Sequence, residues 1–247
     1  MAAPNGLQPT AALAERVLLP GDPGRALMLA ESLLDGAKMF NHNRGLWGYT
    51  GLAPDGEPLT IQSTGMGGPS AAIVIYELID LGARRLLRVG TCGALREGLE
   101  LGDLVIATEA IVADGTSRAL GAGERVPASR ELLEAVIASA DPPFPERPTP
   151  DHEHGVHSGP IVTTDLFYDA RGLERRWSEA GALAVEMEAA TLFALAGARG
   201  AQAAAVLVVS DIVLAERTRI GQEELRAAER RMGEAALRAL TAAGGGA

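Results

Sequence analysis

GALAVEMEAATLFALAGARGAQAAAVLVVSDIV, running from Gly181 to Val213, is the stretch that decides the fold. Its first apolar run, Ala182–Val185, ends in Glu186-Met187-Glu188. A helix of small residues follows from Ala189 to about Ala198, and a second apolar run, Ala203–Val209, ends in Ser210-Asp211. Both runs are too apolar and too short to lie half exposed, so they read as buried parallel strands. A helix between two such strands makes a right-handed crossover, which is expected to set them side by side in one sheet. Glu186, Glu188 and Asp211 then share the carboxyl edge of that sheet, where α/β proteins bind ligands.

Outward from this unit, strand and helix signals alternate. Val17–Leu19 reads as a strand broken by Pro20-Gly21-Asp22-Pro23-Gly24, with a helix from about Arg25 to Leu34. Trp47–Leu52 and Leu59–Ser63 read as strands joined by a turn at Pro54-Asp55-Gly56. Thr64–Ser70 is a glycine-rich turn with Pro69 at a first helical position, opening a helix over Ser70–Leu81. Leu86–Val89 is a strand, and Gly90-Thr91-Cys92-Gly93 reads as a second glycine-rich turn. Further strands are expected at Leu104–Thr108, Ile111–Ala113 and Gly159–Thr164, and a helix over Arg130–Ser139. Residues 141–150 form a proline-rich loop too short to be a domain linker. The last helix, Gln222–Leu240, carries Leu225, Ala228, Met232, Ala236 and Leu240 on one face with charges opposite, and 244–247 reads as a frayed tail. The pattern is α/β: one domain over 1–247 with a mixed central sheet flanked by helices.

Composition narrows the function classes. A net charge of −10 argues against a nucleic-acid backbone as partner. It leaves room for a small anion held by a few arginines. The single cysteine, Cys92, excludes an intramolecular disulfide and suits a reducing compartment. No uncharged apolar run approaches a membrane span, and the N-terminus lacks a signal-peptide pattern, so a cytoplasmic location is expected.

Three loops then carry the chemistry. Pro20–Arg25 and Arg88–Gly93 place glycines beside arginines, while Thr64–Ser70 offers backbone N–H groups without a cation. Glycine lets N–H groups converge on an anion, and an arginine fork binds phosphate oxygens. Each feature alone also has a plain structural reading. The Pro-Gly-Asp-Pro segment is a good helix start. Glu186 and Glu188 suit the N-terminus of a helix, Met187 suits a core, and Ser210-Asp211 is capping composition. Arg88 is harder to explain that way, because a lone guanidinium at a buried strand end needs an anion or acid beside it. Phosphate ligands, a sugar-hydroxyl acceptor and a proton donor at one edge are what phosphorolysis of a glycosidic bond requires.

VLLPGDPGRA (Val17–Ala26), NRGLWGYTG (Asn43–Gly51), TGMGGPSAAI (Thr64–Ile73), RVGTCGAL (Arg88–Leu95), TTDLFYD (Thr163–Asp169), VEMEAATLFALA (Val185–Ala196) and VVSDIV (Val208–Val213) occur in that order. Together they resemble the nucleoside phosphorylase family, of the hexameric bacterial and archaeal purine nucleoside phosphorylase type. The resemblance implies a phosphate site of Gly21, Arg25, Arg88 and Thr91, with Arg44 supplied by a neighbouring subunit. It implies a ribose site of Met66, Met187 and Glu188, with Glu188 accepting from the 2′- and 3′-hydroxyls. It implies a base site of Phe167, stacking on the purine, with Glu186 and Val185 nearby and Ser210 and Asp211 at the imidazole side. Phosphate would attack the anomeric carbon through an oxocarbenium-like transition state. Asp211, kept protonated by burial, would be the general acid. Products would be a free purine and ribose 1-phosphate, with inorganic phosphate as co-substrate and no metal or organic cofactor. The implied assembly is a homo-oligomer, a hexamer with shared sites.

Two positions depart from the family pattern. Asn5 stands where family members carry a histidine that reaches the neighbour's sugar 5′-hydroxyl, and no arginine lies past Asp211 at the family's spacing, so Arg217 and Arg219 receive no role. Asp151-His152-Glu153-His154-Gly155-Val156-His157 has the composition of a metal site but no i, i+4 histidine pair, and reads as a solvated loop. The rival activities are a 5′-methylthioadenosine phosphorylase, a uridine phosphorylase, or a nucleosidase using water. The arginine set weighs against the last. The absence of a Gln/Arg pair after Phe167-Tyr168 weighs against the pyrimidine enzyme.

Overall fold

The computed structural model describes residues 6–140, 154–169, 171–214 and 217–242. Asn5, the loop at 141–150, the Asp151–Glu153 part of the histidine segment and the tail at 244–247 lie outside the described residues. The chain opens with β1 (Arg16–Leu19), α1 (Pro23–Leu33), β2 (Asp35–Asn41), a 3-10 turn at Asn43–Gly45, β3 (Gly48–Leu52) and β4 (Pro58–Gln62). Next come α2 (Gly68–Leu81), β5 (Arg85–Ala94), β6 (Leu104–Ala113), α3 (Gly115–Ala119), β7 (Arg125–Pro127) and α4 (Arg130–Ala140). The rest is β8 (Val156–Thr164), α5 (Glu174–Glu179), β9 (Ala184–Glu186), α6 (Ala189–Ala198), β10 (Gln202–Ile212), β11 (Thr218–Arg219) and α7 (Gln222–Ala242).

These strands form one mixed sheet sandwiched between two helix layers. On one face, α2 and α6 pack against each other and the sheet. Ala189, Ala190, Leu192, Phe193 and Leu195 of α6 are buried, as an all-round apolar helix must be. On the other face α1, α4 and α7 pack together, with Ala228, Met232, Ala236 and Leu240 of α7 turned inward. The apolar stripe read from the sequence is thus the buried one, with Leu225 at its margin.

The sequence reading needs two corrections here, one in Gly181–Val213 and one in Gly90–Gly93. β9 and β10 are neither adjacent nor parallel. β5 lies between them, antiparallel to β9 and parallel to β10. The sheet closes on itself through β5–β9, β9–β8, β8–β6, β6–β10 and β10–β5. In such a ring, strands linked by a helix need not be neighbours, so the crossover rule for a single open sheet does not apply. The acidic ends still meet, because Gly93 of β5 is the register partner of both Val185 and Asp211. Second, Gly90–Gly93 is not a turn: β5 runs on to Ala94. Gly90 is needed there because a Cβ would sit 2.8 Å from Arg88 Nη2, whose guanidinium lies along the strand. β10 likewise continues through Ser210-Asp211, with its register slipping between Val209 and Asp211. A bulge of this kind re-aims the side chain that follows it.

Candidate active site

A cavity of about 610 Å³ opens where β5, β9 and β10 meet the turns before α1 and α2. It falls within the usual range for a small-molecule site. Gly21, Arg25, Met66, Arg88, Thr91, Phe167, Val185, Glu186, Met187, Glu188, Ser210 and Asp211 all line it. Leu166, Glu174 and Trp177 also line it, and no sequence signal marked them. Arg44 does not. It sits on the exposed 3-10 turn with φ 56° and ψ 19°, and it is the one described non-glycine residue at positive φ.

Arg88 is the electrostatic centre. Its Nε donates to Glu186 Oε2 at 2.8 Å, its Nη2 pairs with Glu188, and all three side chains are buried. Burial opposes the charge on Arg88, but Glu188 and Glu186 outweigh it and hold the guanidinium protonated beyond its ordinary range. Nη1 is buried and has no hydrogen-bond partner among the described residues. An orphaned buried donor on a cation costs free energy, and an anion in the cavity would satisfy it.

The two glutamates divide the work. Glu186 accepts from Arg88 Nε, Thr163 Oγ1 and the N–H groups of Glu188 and Ala189. Its carboxylate caps α6 and anchors Arg88. The capping reading therefore holds for Glu186, whose oxygens are engaged there while its side chain lines the cavity. Glu188 caps nothing with its side chain. Its Oε1 takes the N–H of Gly67, whose φ of 85° turns that N–H inward at the start of α2. Burial pushes the Glu188 carboxyl above the ordinary range, while Arg88 and the Gly67 N–H pull the other way.

Arg25 is also paired. Asp22 caps α1 by accepting the Arg25 N–H, so the helix-start reading of Pro20–Gly24 is correct as well. The Arg25 side chain reaches Glu229 of α7, with Nε 2.7 Å from Oε1. This partner lies 204 residues away, buried among the inward-facing residues of α7, where no local pattern marks it.

At the opposite wall, Asp211 Oδ2 accepts from Ser210 Oγ at 2.8 Å. Its Oδ1 accepts from Arg217 Nε at 2.9 Å and Arg219 Nε at 2.8 Å. Burial alone would raise the carboxyl, but the bonds from Ser210, Arg219 and Arg217 outweigh it and hold Asp211 below the ordinary carboxylate range. This corrects the expectation of an aspartic acid kept protonated by burial. Arg217 and Arg219, left without a role on spacing grounds, are its partners because β11 folds back antiparallel onto β10, with Arg219 opposite Asp211. Phe167, half-exposed, carries the Arg217 guanidinium over its ring at 4.4 Å from the centroid and meets Tyr168 edge-on at 4.9 Å.

Among the described residues no group of three or more His, Cys, Asp or Glu could hold an ion. His157 Nε2 lies instead 2.9 Å from Asp103 Oδ2. No helix among the described residues is long and apolar enough to cross a membrane.

Comparison with known proteins places this geometry in a family. The model of the phosphorylase superfamily matches residues 15–243. The chain is 37% identical over 230 residues to a DeoD-type purine nucleoside phosphorylase of Geobacillus kaustophilus, covering 90% of this chain and 89% of that one. It is 40% identical over 204 residues to a guanosine phosphorylase of Halorubrum lacusprofundi, covering 81% and 80%. The structure of a uridine phosphorylase of Vibrio fischeri superposes with a TM-score of 0.80 at 27% identity, over 93% of this chain and 92% of that one. A cavity built on a carboxylate-clamped arginine, in a fold and sequence shared with these enzymes, leads to one conclusion: the chain belongs to the phosphorylase superfamily.

Proposed function

We propose that this protein cleaves purine nucleosides by phosphorolysis, releasing the free base and ribose 1-phosphate. The observation that carries the reading is Arg88. It is a buried, permanently charged guanidinium with one orphaned nitrogen, lining the cavity beside Thr91, Gly21 and Arg25. That is a seat for a small multivalent anion. On its other side the same arginine holds Glu188, which as a carboxylate can accept from sugar hydroxyls. Phosphate and ribose are thereby brought to one cation, and positive charge growing on the sugar lies between the phosphate and Glu188. Phosphate forms the new bond to the anomeric carbon as the bond to the base breaks, and the electron pair leaves with the base. Phe167 offers the face on which the purine stacks, with Ser210 and Asp211 at its edge. Asp211 is ionised in the free protein, so it takes up one proton from solvent as the nucleoside binds, and negative charge growing on the base then draws that proton to the base nitrogen as the bond breaks.

The names of the relatives support a purine substrate over a pyrimidine one. The reaction as proposed needs no metal or organic cofactor. Arg44 is exposed and does not line this chain's own cavity, which supports a shared site in a homo-oligomer, a hexamer by family resemblance. The single cysteine, a buried free thiol, supports a reducing compartment such as the cytoplasm. The test is release of base from inosine, guanosine, adenosine, 5′-methylthioadenosine and uridine, with and without phosphate. Release that is independent of phosphate would make the protein a nucleosidase and refute the proposal, and release from uridine alone would move it to the pyrimidine branch.

A further inference from the structure

We propose that Arg217 and Arg219 select the base: they form a donor-only wall at the purine edge that favours 6-oxopurine over 6-aminopurine nucleosides. This rests on the phosphorolysis reading above and adds the substrate class to it.

Residues 217 and 219 flank one position of an extended segment, so their side chains leave from the same face. The pairing of β11 with β10 sets that face against Asp211. Both arginines spend Nε on one oxygen, Asp211 Oδ1, and Ser210 Oγ takes the other. Among the described residues neither arginine gives an Nη donor to a hydrogen bond. The cluster thus holds two cations against one ionised carboxylate, with both oxygens engaged and the guanidinium ends unspent. Their Cζ atoms lie 4.4 and 5.6 Å from the centroid of Phe167, on the ring proposed to stack the base. A purine that takes this face must displace Arg217 from it. The guanidinium remains tethered to Asp211, at the edge of the incoming ring.

That edge differs between the two purine classes. A 6-oxopurine presents an acceptor at O6, beside the N7 that Asp211 protonates, and a guanidinium at that edge donates to O6. A 6-aminopurine presents donors at N6, which would face the guanidinium donors, and the one acceptor site left there is on Asp211 Oδ2, which already takes Ser210 Oγ. Bond cleavage widens the gap, since the departing 6-oxo base spreads its negative charge onto O6 beside the guanidinium groups.

The experiment compares kcat/KM for inosine and adenosine at saturating phosphate in the wild type, Arg217→Met, Arg219→Met and the double variant. It also compares competitive inhibition by hypoxanthine and adenine. A charge-assisted hydrogen bond made to one base and lost on the other discriminates roughly 10- to 100-fold. The wild type is expected to favour inosine and hypoxanthine by about that factor, and the double variant to bring both ratios toward one. A wild-type ratio at or below one overturns the proposal, as does a double variant with unchanged ratios. Should the variants misfold, the wild-type ratios and the inhibition pair still decide. Turnover without preference sinks this inference alone, whereas failure to cleave any purine nucleoside with phosphate sinks the parent reading and this one with it.

Discussion

Replacing Arg88 by alanine probes the phosphate seat and the core at once, and the structure separates the two effects. Loss of a charge-assisted fork to phosphate costs on the order of 2–4 kcal/mol, so the phosphate KM should rise roughly 30- to 900-fold. The same change strips the cation from Glu186 and Glu188, whose side chains are 0% and 7% exposed. Breaking a buried pair by removing one partner costs about 3–5 kcal/mol. For a chain of this size that lowers Tm by roughly 6–20 °C, so kinetics must be run well below the variant's midpoint. Stability should also acquire a pH signature. Burial already pushes Glu188 upward with Arg88 present. Without the cation its folded-state value climbs further above the unfolded value of about 4.3. A raised carboxyl contributes stability that is full below the unfolded value and is lost as pH rises through the folded one. The Tm gap between wild type and variant should therefore widen from about pH 5 upward. Initial-rate kinetics over a phosphate series and calorimetric melts across pH 5–8 measure both. An unchanged phosphate KM would show that the anion binds elsewhere, and a gap independent of pH would show that the carboxylates do not lean on Arg88.

Glu229→Gln removes the charge that holds Arg25 and leaves a buried guanidinium poorly matched, so added phosphate should raise the variant's Tm more than the wild type's; equal shifts would mean Arg25 does not meet phosphate. Asp211→Asn should lower kcat on inosine about 10²- to 10⁴-fold and much less on 7-methylguanosine, whose ring already carries positive charge. Equal losses would mark Asp211 as a structural partner of Arg217 and Arg219 only. Glu188→Gln should slow both substrates alike, because it acts on the sugar and not on the leaving group; a loss confined to inosine would contradict that. Arg44→Ala mixed with an Arg88→Ala protein should recover part of the activity through hybrid sites if neighbours share the cavity, and no recovery in co-assembled oligomers would place Arg44 outside the reaction.

The sequence by itself determined the main buried strands and long helices and most of the residues that line the cavity, but not Arg44's place outside it or the presence of Leu166, Glu174, Trp177 and Arg217. Periodicity carried the buried strands and the stripe of α7, since one apolar face must be covered whatever the topology. Strand-end motifs carried the residues, because side chains at a few strand ends and glycine-rich turns are the ones a sheet edge can bring together. What periodicity could not encode was partnership. That β5 stands between β9 and β10 depends on the closing of the ring and the bulge in β10, which are properties of the whole sheet. The split between Glu186 and Glu188, identical residues two positions apart, was decided by which one faces the N–H groups of α6 and which one faces Gly67. The ionised state of Asp211 was decided by β11 folding back to deliver Arg217 and Arg219, a contact set by strand pairing and not by any fixed spacing along the chain. Charge state follows neighbours in space, and those neighbours exist only once the chain has folded.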